Sequence, residues 1–229
     1  MNPVQFHVEQ ARALQLVEAD RELEVIWTFT TSAREEKLMP IRIPIDRGLF
    51  GWRIFLIKAS DQTLFNNIEN SGQLAKLRTG QGHDWPDTDI LRANNFSISG
   101  STTYEGLFDM LARNHIQYFP RSLLEAELEL NSHPNHSLAI ESNLVLHYPT
   151  ALYFFVNKKN TELAADLEQG LRQAMADGSF KNLFDHHFSD TIRKANLNQR
   201  KIISVSNPLL PAKTPLDEKH YWFSPKDNY

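Results

Sequence analysis

The sequence predicts an α/β protein. Apolar runs of strand length alternate with segments of helical period along most of the chain, which implies parallel pairing with crossovers. The segment NTELAADLEQGLRQAMADGSFKNLFDHHF at 160–188 combines a long amphipathic helix, a stop and a restart. No run approaches the roughly 20 apolar residues that a membrane helix requires.

From the N-terminus, residues 4–8 read as a short strand. Residues 9–22 read as a helix with Ala11, Leu14 and Val17 inward, and 23–28 as a buried strand. Residues 34–38 form a helical turn, followed by an extended stretch, a turn at Asp46 to Gly48 and a strong strand at 52–57. A short helix lies among residues 63–77, then helix 88–94, strand 96–99, helix 104–113 and strand 116–119. Residues 123–129 extend as a helix, 133–137 form a polar turn and 151–156 a second strong strand. Leu163, Leu167, Leu171 and Ala174 then define one apolar stripe. Asp177 and Gly178 end that helix, because glycine tolerates the left-handed conformation at a C-terminus. Ser179 is placed to cap the next helix, with Phe180, Leu183, Phe184 and Phe188 as its stripe. Beyond Ala195 the Pro-rich end reads as an extended arm docked by Leu209, Leu210, Tyr221 and Trp222.

A net charge of −4 over 229 residues argues against a general nucleic-acid or anionic-membrane binder. Without cysteine there are no disulfides, thiolate nucleophiles or Cys-based zinc sites. The opening MNPVQFHVEQAR lacks a basic stretch followed by an apolar one. A cytoplasmic location is expected unless a secretion signal lies outside this sequence. His133 and His136 are separated by Pro134, and the adjacent His186 and His187 point in different directions on a helix, so no metal site is expected. Asp84, Asp87 and Asp89 suit either acid–base work or the N-terminal end of a helix dipole. No nucleophile elbow, P-loop or zinc-protease motif is present. No cofactor is expected.

Three stretches resemble the type II periplasmic solute-binding proteins. The helix, Asp-Gly-Ser-aromatic turn and terminal aromatic of 160–188 are similar to that family's closing helices. IWTFTTSAREEKLMPIRIPI resembles its strand, hydroxyl-rich loop and Arg-bearing turn. LAKLRTGQGHDWPDTDIL resembles the second lobe's opening strand, Gly loop and helix. The resemblance implies two lobes, each a mixed sheet flanked by helices, joined by two hinge strands at 52–57 and 151–156. Lobe one would comprise 1–52 and 155–229, and lobe two 53–154.

It further implies a small-molecule ligand, amino-acid-like and carrying a carboxylate, captured in an interlobe cleft, with an ABC transporter permease as partner. Arg34 would grip the carboxylate through its planar fork, aided by Thr30 and Thr31. Gly82, His83 and Asp84 would complete the anion cage at a helix N-terminus. As aromatic side chains, Trp27, Trp52 and Trp85 are candidates to line a cleft, with Phe119 near the same mouth. For Arg34 the alternative is a surface charge paired with Glu35 or Glu36; for Trp27 and Trp52 it is core packing.

Three departures stand out. The family's first strand–helix unit has no counterpart before Asn2, so exchange of sheet elements in a homodimer is one expectation. His83 follows Gly82 where a hydroxyl is usual, and Pro120 and Arg121 stand where an acidic residue would hold an amino group. A sensory or interaction module without transport is therefore the alternative, and an enzyme with an unrecognised site ranks third.

Overall fold

The computed structural model describes residues 10–227, so the expected strand at 4–8 lies outside the described residues. The strands are β1 (Val25–Phe29), β2 (Leu38–Ile41), β3 (Trp52–Lys58), β4 (Arg78–Gly82), β5 (Ser97–Ser101), β6 (Phe119–Ser122), β7 (Leu138–Ile140), β8 (Leu144–His147), β9 (Leu152–Asn157) and β10 (Lys201–Ser204). The helices are α1 (Gln10–Glu18), α2 (Ser32–Lys37), α3 (Ser71–Leu74), α4 (Pro86–Ala93), α5 (Tyr104–Ala112), α6 (Ala126–Ser132), α7 (Thr161–Ala176) and α8 (Ser179–Ala195).

The chain splits into two compact units. Unit one comprises residues up to 48 with 150–187 and 209–223; unit two comprises 49–149, 188–208 and the residues from 224. The chain passes between them at 48–49, 149–150, 187–188, 208–209 and 223–224, the first two just ahead of Trp52 and Ala151.

In unit one, β9 lies between β1 and β2, antiparallel to both, with Trp27 opposite Phe154 and Ile41 opposite Phe154 from the other side. Parallel pairing was expected here from the strand–helix alternation. Because β9 enters from the far side of the other unit's sequence, it runs against its neighbours instead. Val17, Leu38, Ala151, Tyr153 and Phe155 form the core, covered by Leu14, Ile26, Leu210 and Trp222. The Pro-rich arm therefore docks as its apolar residues require. α1 ends where the Asn157 amide donates to the carbonyls of Val17 and Glu18, at 3.0 and 2.8 Å. Those carbonyls have no partner within the helix, so Asn157 acts as the stop.

α7 and α8 break where the Asp-Gly-Ser turn requires. However, the cap on α8 comes from Asp177, whose Oδ1 accepts from the Ser179 amide at 2.9 Å, rather than from Ser179. The Ser179 hydroxyl, followed by its amide, lowers the Asp177 pKa. The apolar stripe of α7 is only half-buried. On α8, Phe184 is buried but Leu183, expected beside it, is 60% exposed.

Gly48 follows the Asp46 turn at φ +75°, and an added Cβ would stand 2.8 Å from Cε3 of Trp222. The indole is fixed by its Nε1 donating to the Pro215 carbonyl at 2.9 Å, so it cannot easily retreat. Gly48→Ala is expected to destabilise the protein by about 1–3 kcal/mol through backbone strain and this clash, read as a lower urea midpoint.

Unit two carries the sheet β10–β8–β3–β6, with β7 also paired to β3. β6, β7 and β8 are antiparallel to β3, while β10 is parallel to β8. A second parallel pair, β4–β5, is extended by a parallel bridge from Thr79 to Tyr118. The helix-linked parallel pattern thus holds for β4, β5 and the Tyr118 segment, where α4 and α5 supply the crossovers. Phe55, Phe65 and Tyr118 meet at ring centroid distances of 5.0–6.2 Å in the core.

Trp52, one of the residues weighed for a cleft wall, is instead buried with its ring 4.2 Å from that of His147. Burial depresses the His147 pKa to about 4. The unfolded chain, with the usual value near 6.5, therefore binds the proton more readily than the folded one. The stability this neutral imidazole contributes is complete above pH 6.5 and is lost as pH falls toward 4, by up to about 3 kcal/mol. His147→Phe should remove that part of the slope in unfolding free energy measured from pH 7 to 4.

Candidate ligand-binding site

Arg34 sits on the first turn of α2, directly after β1, because Thr31 caps the helix. The Thr31 Oγ1 accepts from the Arg34 amide at 3.2 Å. The guanidinium folds back onto the strand end, donating to the Phe29 carbonyl at 2.5 Å and to Gln10 Oε1 at 3.1 Å. Its expected surface partner is engaged elsewhere: Glu35 accepts from the Thr30 hydroxyl at 2.7 Å and pairs with Arg42. Among the described residues Arg34 makes no ion pair, and partial burial lowers its pKa. A half-buried guanidinium held by two neutral acceptors retains attraction for an added carboxylate. Thr30 donates its hydroxyl to Glu35, and the Thr31 hydroxyl accepts from the Arg34 amide as the helix cap. Trp27, on β1, is 61% exposed and offers an open aromatic face in the same unit.

In unit two, Gly82 ends β4 under the ring of Trp85; an added Cβ would come within 2.4 Å of the indole, so the close approach requires glycine here. Helix α4 starts at Pro86, and the amides before it are partly committed. His83 N donates to the Ser101 carbonyl at 3.0 Å and Trp85 N to the Gly82 carbonyl at 3.1 Å. Asp84 and His83 are exposed. Phe119 is fully buried, stacked 6.2 Å from Trp85, and lies beneath the surface rather than at a mouth.

Sequence reasoning missed the polar cluster behind these rings. Arg121 packs 5.0 Å from the centroids of both Trp85 and Phe119. Its Nε and Nη2 donate to Glu129 at 2.7–2.9 Å, and Nη2 also meets Glu125 at 3.0 Å. Arg53 lies 2.6 Å from Asp87 Oδ1, which also accepts from the Tyr148 hydroxyl. Burial opposes the charge on both arginines, but Asp87 for Arg53, and Glu129 with Glu125 for Arg121, outweigh it and raise their pKa. Burial, reinforced by Asp87, also raises the Tyr148 pKa, so the phenol stays protonated. Asp87 thus serves as a counter-ion in this cluster rather than as a free acid. The only sequence signal was Arg121 standing where an acidic residue was sought. Among the described residues no group of His, Asp and Glu is arranged to hold a metal.

No family model and no curated protein matches the chain in sequence. Solved structures do match. An ancestral arginine-binding protein bound to arginine superposes with a TM-score of 0.53 at 13% identity, covering 76% of this chain and 75% of that one. The L-cystine solute receptor of Neisseria gonorrhoeae, unliganded and open, gives 0.51 at 15%, covering 80% and 74%. The chain has the fold of the type II periplasmic binding proteins. A histidine kinase sensor domain similar to periplasmic binding proteins also matches this fold, with a TM-score of 0.53 at 11% identity, over 78% of this chain and 75% of that one. These neighbours of the periplasmic binding-protein fold are binding proteins and a sensor rather than enzymes. No described helix is long and apolar enough to cross a membrane.

Proposed function

We propose that this chain is a solute-binding protein for a small polar compound bearing a carboxylate, anchored by Arg34 and delivered to an ABC-type permease outside the cytoplasm. The observation that carries this reading is the Arg34 guanidinium, oriented by the Phe29 carbonyl and Gln10 while Glu35 is diverted to Arg42. Within unit two, Trp85 offers an aromatic face backed by Arg121 at 5.0 Å. Binding without chemistry suffices, since Asp87, Glu125 and Glu129 are consumed by Arg53 and Arg121. A sensory module is the second reading, favoured by the sensor-domain neighbour; it shares the ligand and differs in the partner. Titration calorimetry against amino acids, small carboxylates and sugars tests the shared core. Heat is expected from carboxylates, and a folded protein silent across the whole panel rejects the proposal.

A further inference from the structure

A cavity of about 210 Å³ lies within unit two, and its lining includes neither Arg34 nor the Gly82–Trp85 segment. Ile54, Leu123, Leu130 and Ile140 give it an apolar floor, and Arg200 lines one side. The mouth carries Lys194 and Glu127, which are paired at 2.9 Å. In liquid terms the space would hold about seven waters.

Arg200 makes this more than an apolar void. Its side chain is only 7% exposed. Nε donates to the Ala195 carbonyl at 2.7 Å, and Nη1 to the carbonyls of Leu144, at 3.0 Å, and Glu141. The nearest carboxylate, Glu141, stays 3.8 Å away because it is already saturated. It accepts from Gln62 Nε2 at 2.8 Å and from the amides of Asn143 and Leu144 at 2.7 and 2.8 Å. Among the described residues nothing accepts from Nη2. Burial lowers the Arg200 pKa despite Glu141, as expected for a charge that is poorly compensated. A buried guanidinium edge beside an aliphatic floor matches a carboxylate on a short alkyl chain. Inorganic phosphate fits worse, because its further oxygens would lie against leucine and isoleucine without partners.

We propose that this cavity is a second small-molecule site, specific for short aliphatic monocarboxylates and separate from the Arg34 site. Butyrate is the test ligand, followed by ¹H–¹⁵N NMR of the full chain. The expected result is saturable shifts at Leu130, Thr191 and Ala195, with a Kd on the order of 1 mM for so few atoms. 1-Butanol, the same body without the charge, should bind at least about tenfold more weakly if the charge contributes as charged hydrogen bonds do. Leu130→Trp fills the space and should abolish the shifts while the rest of the spectrum stays dispersed. Arg34→Met should leave them unchanged, which separates this site from the primary one. Absence of saturable shifts, equal binding of butanol, or shifts that survive Leu130→Trp would each overturn the proposal.

Discussion

Asp87→Ala is expected to lower the unfolding free energy by about 3–5 kcal/mol, the range for removing one partner of a buried ion pair. The carboxylate is the principal counter-ion of Arg53, whose side chain is 6% exposed, and the acceptor for the buried Tyr148 hydroxyl. Without it, the carboxylate left near Arg53 among the described residues is Glu125 at 3.9 Å, and the Arg53 Nε has no partner already. Replacing both members, as in Arg53→Met with Asp87→Leu, should recover much of the loss, because no charge is then stranded. Urea unfolding of the two variants decides this. A loss under about 1 kcal/mol for Asp87→Ala would show that water reaches the pair and screens it.

Arg34→Met should weaken binding of a carboxylate ligand by at least about 30-fold, corresponding to roughly 2 kcal/mol for a hydrogen-bonded charge contact. The unfolding midpoint should change little, since the guanidinium is half-exposed and spends its bonds on one carbonyl and one amide. Lysine at this position should recover only part of the affinity, because an ammonium lacks the planar fork and cannot reach both Phe29 and a ligand. Calorimetry on the two variants tests this. Unchanged affinity in Arg34→Met would remove Arg34 from the site.

Local signals in the sequence were legible and long-range pairings were not. Thr31, Thr103 and Asn160 accept from the third residue beyond them, so α2, α5 and α7 begin where short polar side chains announce them. The strong strands β3 and β9 were equally clear from composition. β8 and β10 were not, because four residues carry too little pattern, and β8 runs directly into His147 to Pro149. Periodicity foresaw which face of α7 and α8 turns inward but not how completely it is covered, hence the exposed Leu183. Arg34 was legible because its cap and its strand are adjacent in sequence. The Arg53, Asp87, Arg121 and Glu129 cluster was not, since Arg53, Asp87 and Arg121 are tens of residues apart and each resembles an ordinary surface charge until the strands pair.

The place of β10 bears on how this protein is made. Lys201–Ser204 pairs with Leu144–His147 as the last strand of its sheet, and Leu210 and Trp222 seal the other unit's core. During synthesis, neither half can therefore close before residues 201–222 have emerged from the ribosome. Until then the Leu144–His147 edge stays open to pairing with other nascent chains. Emergence of residues 201–222, rather than completion of either half in turn, would set the moment at which the chain becomes resistant to proteolysis.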